Sequence, residues 1–213
     1  MRGGHGAHEK RERVRKLLLA LKKLFPRPRI ALRYGNTWEL LVAVILSAQC
    51  TDKIVNKVTV GLFKKYKTFG EYVCANPREF EKDIRSTGFY RNKAKNILAS
   101  ARIVKERYGG KVPRTMEEIL TLPGVARKTA NIVLGTAYGV VEGIAVDTHV
   151  RRLARRFGLT EESDPQKIER DLMALLPKKE WLLFPHRLIA YGRTYCSART
   201  CPVNHPLCAF DVR

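Results

Sequence analysis

The sequence predicts an all-α protein, and three observations predict it. Apolar residues recur at helical spacing, capping residues stand where those runs begin, and glycines punctuate the chain at helix-hairpin intervals. No stretch sustains the period-two alternation of a half-buried strand, and no Asn-Gly or Asp-Gly hairpin turn occurs.

The elements follow in order. Val14, Leu17, Leu18, Leu21, Leu24 and Phe25 share one helical face with Arg and Lys between them, until Pro26 and Pro28 end the segment. The glycine-rich start, Met1 to His8, is expected to be a frayed end. Asn36 stands three residues before Glu39 and opens the apolar helix Leu40–Ala48 in capping-box fashion, and Thr115 with Glu118 repeats the device ahead of Ile119 and Leu120. Gly70, Gly88, Gly109, Gly110, Gly139 and Gly158 separate successive hairpins. Asp147 precedes the helical run Thr148–Phe157 as an ordinary N-cap. Linkers are short, with no low-complexity tract and no strict repeat. Cys50 and Cys74, alone in helical surroundings, are expected to be small buried hydrophobes.

Charge narrows the function. Among 213 residues, 41 Lys and Arg face 20 acids, a formal net charge of +21. So large an excess calls for a negative partner. Nucleic acid is the commonest, because each neutralised phosphate releases condensed counterions; an anionic membrane surface or an acidic protein is the alternative. The basic residues are spread over the whole chain, which favours a folded basic face over a disordered arm. At 45% apolar, the composition excludes disorder, collagen and coiled coil and supports a core of one large domain or two intimately packed small ones. The longest apolar run, Leu40 to Leu46, is less than half the roughly 20 residues a membrane-spanning helix needs. Lysines follow Leu17–Leu21 at once and no small-residue cleavage site appears, so no signal peptide is expected. Five cysteines, an odd number, argue against an extracellular disulfide framework and for a reduced cytosolic setting.

The most informative segment is Leu122-Pro123-Gly124-Val125-Ala126-Arg127-Lys128-Thr129-Ala130. A tight Pro-Gly turn leads directly into a helix, so the first-turn N–H groups point outward and make a phosphate site, to which Arg127 and Lys128 add charge. The pattern resembles the helix-hairpin-helix motif of DNA repair proteins. Leu46-Ser47-Ala48-Gln49-Cys50-Thr51-Asp52, Gly88-Phe89-Tyr90-Arg91-Asn92-Lys93-Ala94 and Val146-Asp147-Thr148-His149-Val150 are in turn similar to motifs of the endonuclease III family of DNA glycosylases. The resemblance runs from about Val14 to Cys208, with four motifs in the family's order. Two departures stand out: Ala126 replaces a second hairpin glycine, and the C-terminal cysteine loop is abbreviated.

The resemblance assigns roles. Lys128 matches the catalytic lysine, whose uncharged amine attacks the sugar C1′ and forms a Schiff base; partial burial among other cations such as Arg127 would lower its pKa. Asp147, 19 residues further on, matches the essential aspartate. A helix N-terminus would keep it ionised to accept a proton or stabilise an oxocarbenium. A damaged base must be flipped out of the duplex and its gap filled. Gln49 resembles the gap-filling residue that meets the orphaned base, and Phe89 matches the apolar wedge. Leu122, Gly124, Val125, Arg127 and Thr129 of the hairpin, with His149 and Arg151 of the helix after Asp147, complete the expected DNA contacts.

The cysteine loop is ambiguous. Cys196, Cys201 and Cys208 have four and six residues between them, with His205 before the last. The family closes with four cysteines that ligate an iron–sulfur cluster. Three thiolates plus His205 suit a [4Fe-4S] cluster, a tetrahedral zinc site suits the same four residues, and a degenerate loop without metal is the third reading.

The resemblance thus implies a bifunctional DNA glycosylase and AP lyase acting on oxidised pyrimidines, a cytosolic, nucleoid-associated monomer whose partner is double-stranded DNA with damaged bases or abasic sites, with no membrane role. It implies a six-helix module of residues 30–141 containing the hairpin and a second helical module of residues 1–29 and 142–213, with DNA across the cleft between them. The alternatives are a monofunctional mismatch glycosylase, against which Lys128 speaks, and a helix-hairpin-helix binding module without chemistry, against which the pairing of Lys128 with Asp147 speaks.

Overall fold

In a computed structural model, which describes residues 3–212, eleven α-helices and no strand occur among the described residues. They are α1 (Gly3–Leu24), α2 (Thr37–Leu46), α3 (Asp52–Lys65), α4 (Phe69–Val73), α5 (Pro77–Asp83), α6 (Tyr90–Tyr108), α7 (Met116–Ile119), α8 (Arg127–Tyr138), α9 (Thr148–Arg156), α10 (Pro165–Leu175) and α11 (Leu183–Thr194). The chain divides into two compact units: Ala31–Glu142, and a discontinuous unit of Met1–Ile30 with Gly143–Arg213.

In the continuous unit, Asn36 accepts from the Glu39 N–H at 2.9 Å while the Glu39 carboxylate reaches back to the Gly35 N–H at 2.6 Å, which fixes the start of α2. That helix is apolar all round, with Trp38 and Leu40 to Leu46 buried, as suits a central helix packed against α3, α6 and α8. Thr51, Thr68, Asn76 and Thr115 cap the helices that follow them, and Pro77 occupies the first turn of α5, where its missing N–H costs nothing. Trp38, Tyr66, Tyr72 and Phe80 form a continuous run of ring contacts.

The discontinuous unit takes its core from both ends of the chain. Val14, Leu17, Leu18 and Leu21 of α1 join Val150, Leu153 and Phe157, Ile168 and Leu172, and Phe184, Leu188 and Tyr191. Beside this core, Glu180 is held between Arg187 (2.9 Å) and Lys22. Its burial alone would raise the carboxyl's pKa, but these two cations hold it below the usual glutamate range.

Three expectations are corrected. The start of the chain is helical from Gly3 onward, and Met1 and Arg2 lie outside the described residues; extending a formed helix costs little once its nucleus exists. The apolar helix ends at Leu46 instead of Ala48, because Ser47 is its C-cap and the chain turns at Gln49, whose φ is +52°. Cys50 is half-buried and Cys74 exposed, the latter because it caps the C-terminus of the short α4 at the surface.

Candidate active site

Within the continuous unit, α7 and α8 form the hairpin. Its connection buries Leu122 and Val125 and turns at Gly124, where φ is +79° and a Cβ would stand 2.9 Å from Asn96. Ser100 of α6 fixes the turn by donating to the Pro123 carbonyl at 2.9 Å. Ala126, the residue replacing the second glycine, is the N-cap of α8 in extended backbone and offers no side-chain oxygen, so no side chain caps this helix. First-turn N–H groups in that setting suit an anion. Arg127 and Thr129 are half-buried in this turn, and Lys128 is exposed, not partly buried as expected. A first-turn lysine flanked by half-buried neighbours points away from the face that α8 packs on α2.

Gln49 and Phe89 stand on two turns of the same unit, and both side chains are exposed. Phe89, at 67% exposure, is no core residue. Among the described residues these two are the only non-glycine residues with positive φ, at +52° and +46°. Such a conformation costs about 1–3 kcal/mol per residue and persists only where the surroundings enforce it.

Both turns meet a residue that sequence reasoning did not single out. Lys93 is buried, and its Nζ donates at 2.8 Å to the Leu46 carbonyl and at 2.8 Å to the Thr87 carbonyl, while its own N–H bonds the Phe89 carbonyl at 3.1 Å. Burial holds the ammonium below the ordinary lysine pKa range, with the neighbouring Cys50 acting the other way. The only sequence signal was its place in the motif that includes Phe89.

In the discontinuous unit, Asp147 is the N-cap of α9. Its Oδ1 accepts from the Val150 N–H at 2.8 Å, so the expected cap is formed and the side chain stays half-buried. His149 lies with its ring against α11, where a Cβ on Gly192 would come within 2.8 Å of Nδ1. Arg151 is exposed. A second residue missed in the sequence is the half-buried His186 of α11, whose pKa burial lowers while the charge of Asp147 pulls it upward.

The loop at the C-terminal end does not assemble the expected ligands. Cys196 and Cys201 are joined as a disulfide, and Cys208 is exposed. His205 is buried with both ring nitrogens engaged: Tyr191 Oη contacts Nδ1, and Nε2 lies 3.1 Å from Asp211. Burial pushes the Tyr191 hydroxyl up to about 12, so at neutral pH it carries its proton and donates, and the N–H is on Nε2. Asp211 also accepts from Arg156 Nε at 2.8 Å. Among the described residues no three His, Cys, Asp or Glu side chains gather as a metal site. The set Cys196, Cys201, His205 and Cys208 therefore does not fit a [4Fe-4S] cluster or a zinc ion in this arrangement, since two sulfurs are bonded to each other and the imidazole has no lone pair to spare.

Three comparisons place the chain. The family described as HhH-GPD superfamily base excision DNA repair protein matches residues 42–178. Endonuclease III of Synechocystis sp. is 51% identical over 199 residues, covering 93% of this chain and 89% of that protein. Two solved structures, a non-covalent endonuclease III–DNA complex and a trapped endonuclease III–DNA covalent intermediate, superpose with TM-scores of 0.91 and 0.90 at 44% identity, each over 95% of both chains. The chain belongs to the HhH-GPD superfamily of base excision DNA repair proteins and, within it, to the endonuclease III family.

Proposed function

We propose that this chain is a bifunctional DNA glycosylase and AP lyase that removes oxidised pyrimidines from double-stranded DNA in base excision repair, working as a monomer in the cytosol on nucleoid DNA. The observation that carries the reading is the lysine in the uncapped first turn of α8, in a chain 44% identical over 95% of its length to an endonuclease III trapped covalently on DNA. In the proposed reaction the hairpin's N–H groups and Arg127 hold a phosphate. The neutral Lys128 amine attacks C1′, and the damaged base leaves with the C1′–N bond's electron pair and takes up a proton. Ionised Asp147 stabilises the positive charge that develops on the sugar and accepts the proton released by the lysine nitrogen. Opening of the sugar ring gives the Schiff base. Loss of a C2′ proton and of the 3′ phosphate then cuts the strand on the 3′ side, and water releases the lysine. Gln49 and Phe89 occupy the space the flipped nucleotide leaves.

Borohydride reduction on abasic DNA tests the nucleophile. It is expected to give a covalent complex that Lys128→Gln abolishes while duplex affinity stays within about tenfold, or roughly 1.4 kcal/mol. Undiminished trapping by that variant removes Lys128 from the role. Asp147→Asn, which keeps the cap's shape and loses its charge, is expected to lower turnover at least a hundredfold on a thymine glycol duplex. A rate near that of the unaltered protein ends its assignment.

A further inference from the structure

Two turns that lie far apart in the sequence share a single buried cation. The Gln49 turn begins at the C-terminus of α2, where Leu46 ends the helix and Ser47 caps it. The Phe89 turn follows a single 3-10 turn, Arg85–Thr87, and precedes α6. Lys93, in the first turns of α6, donates at 2.8 Å to the carbonyl of Leu46 and at 2.8 Å to that of Thr87, residues 47 and 6 positions away. Those carbonyls are thereby held within two hydrogen-bond lengths of each other. The backbone N–H of the same lysine bonds the Phe89 carbonyl at 3.1 Å, so the residue is fixed at both ends. Thr87, itself buried, donates its hydroxyl to the Ile84 carbonyl at 2.8 Å and keeps the second carbonyl aimed inward.

The consequence falls on the two strained residues. Gln49 and Phe89 hold a left-handed backbone with exposed side chains, a state that relaxes unless its surroundings prevent it. The first lies three residues beyond one anchored carbonyl, the second two residues beyond the other. A surface lysine in water cannot impose such order, because its ammonium exchanges partners freely. A buried one with two carbonyl acceptors can, because leaving them would expose three polar groups to an apolar interior.

We propose that Lys93 is a positioning residue for lesion recognition: its ammonium ties the Gln49 and Phe89 turns into one unit, so that gap-filling and wedging occur together. This rests on the reading of Gln49 and Phe89 given above. No contact of Lys93 with DNA is involved; it acts through the backbone of the two turns.

The test is a mutant cycle read as selectivity. Affinities of the full chain are measured for a duplex carrying a tetrahydrofuran abasic analogue, which has no base to excise, and for the same duplex undamaged. Lys93→Met, which keeps the volume and removes the donors, is expected to lower the ratio of the two affinities about tenfold. Added to the Gln49→Ala/Phe89→Ala variant, it is expected to lower the ratio less than twofold further, because the positioned side chains are already gone. A purely structural lysine would weaken both duplexes alike, and equal losses overturn the proposal. So does a tenfold loss that multiplies fully with that of Gln49→Ala/Phe89→Ala. If Lys93→Met is unfolded at the assay temperature by circular dichroism, Lys93→Gln, which keeps an N–H donor on a shorter side chain, is carried through the same cycle with an intermediate loss expected and the same two outcomes against it. An unchanged ratio in Gln49→Ala/Phe89→Ala removes the lesion-contact reading and the Lys93 proposal with it; a lowered ratio there with an unchanged one in the Lys93 variant removes only the latter.

Discussion

Gly124 shows how a single position constrains the hairpin. Its φ of +79° lies in the region that side chains disfavour, and a Cβ there would press on Asn96 at 2.9 Å. One of the atoms at that distance is the Asn96 Cβ, which side-chain rotation cannot move, so steric overlap adds to the backbone strain. Gly124→Ala is expected to lower stability by about 1–3 kcal/mol in urea denaturation and to weaken binding to undamaged duplex, since the turn aims the α8 N–H groups. An unaltered midpoint would show that the turn relaxes freely. At this scale the sequence was readable where a side chain acts on its own local backbone, as with the Asp147 cap of α9. It was silent where the chemistry is a side chain reaching main-chain carbonyls. Lys93 sits inside a recognised motif, yet nothing in its spacing announces acceptors 6 and 47 residues away, and a lysine reads as surface by default.

Among the elements, the C-terminal loop departs furthest from its sequence reading. Cysteine spacing and an intervening histidine describe candidate ligands, but not which partners compete for them. Here Tyr191 and Asp211 take both nitrogens of His205, and Asp211 is shared with Arg156. Arg152 adds a bond of 2.6 Å to the Cys196 carbonyl, and the Val212 N–H one of 3.0 Å to the Arg156 carbonyl. The segment is thus fastened to α9 and α11 by hydrogen bonds. Burial by itself would raise the Asp211 pKa, but Arg156 and His205 outweigh it and hold the carboxyl below its usual range. A depressed folded-state pKa means the stabilisation is complete above the unfolded value, roughly 4, and is lost as pH falls through the lower folded value. Asp211→Asn is therefore expected to lower stability by about 1–3 kcal/mol at neutral pH and to flatten the acid dependence below about pH 4. A variant whose urea midpoint matches the unaltered protein at both pH values would count against the network. Metal analysis of the purified chain is expected to find neither iron nor zinc in stoichiometric amount; about four irons per chain would mean the loop rearranges to bind a cluster. The helices themselves were far more legible, because caps such as Asn36, Thr115 and Asp147 are local devices that act within three residues.

For the molecule as a whole, the net charge of +21 is the dominant property. Affinity for undamaged duplex is expected to fall linearly on a log–log plot against salt, with a slope near −0.9 per phosphate engaged. With about six phosphates the loss between roughly 50 and 200 mM salt is on the order of a thousandfold. A shallow slope in filter binding would show that most of the charge lies away from the DNA. Charge, helical class and DNA chemistry were all legible in composition and motif.

The path of the chain through its two units has a consequence for synthesis. The core that contains Leu17 and Leu21 of α1 is completed by Val150, Phe157, Phe184 and Tyr191, all from beyond residue 142. At a translation rate of about 5–20 residues per second, the nascent first helix waits on the order of ten seconds for these partners. Throughout that interval its apolar face lacks these partners, while Ala31–Glu142, whose residues are contiguous, is complete as soon as residue 142 has emerged. The stripe of α1 is therefore where a chaperone, or a second nascent chain, is expected to engage newly made protein.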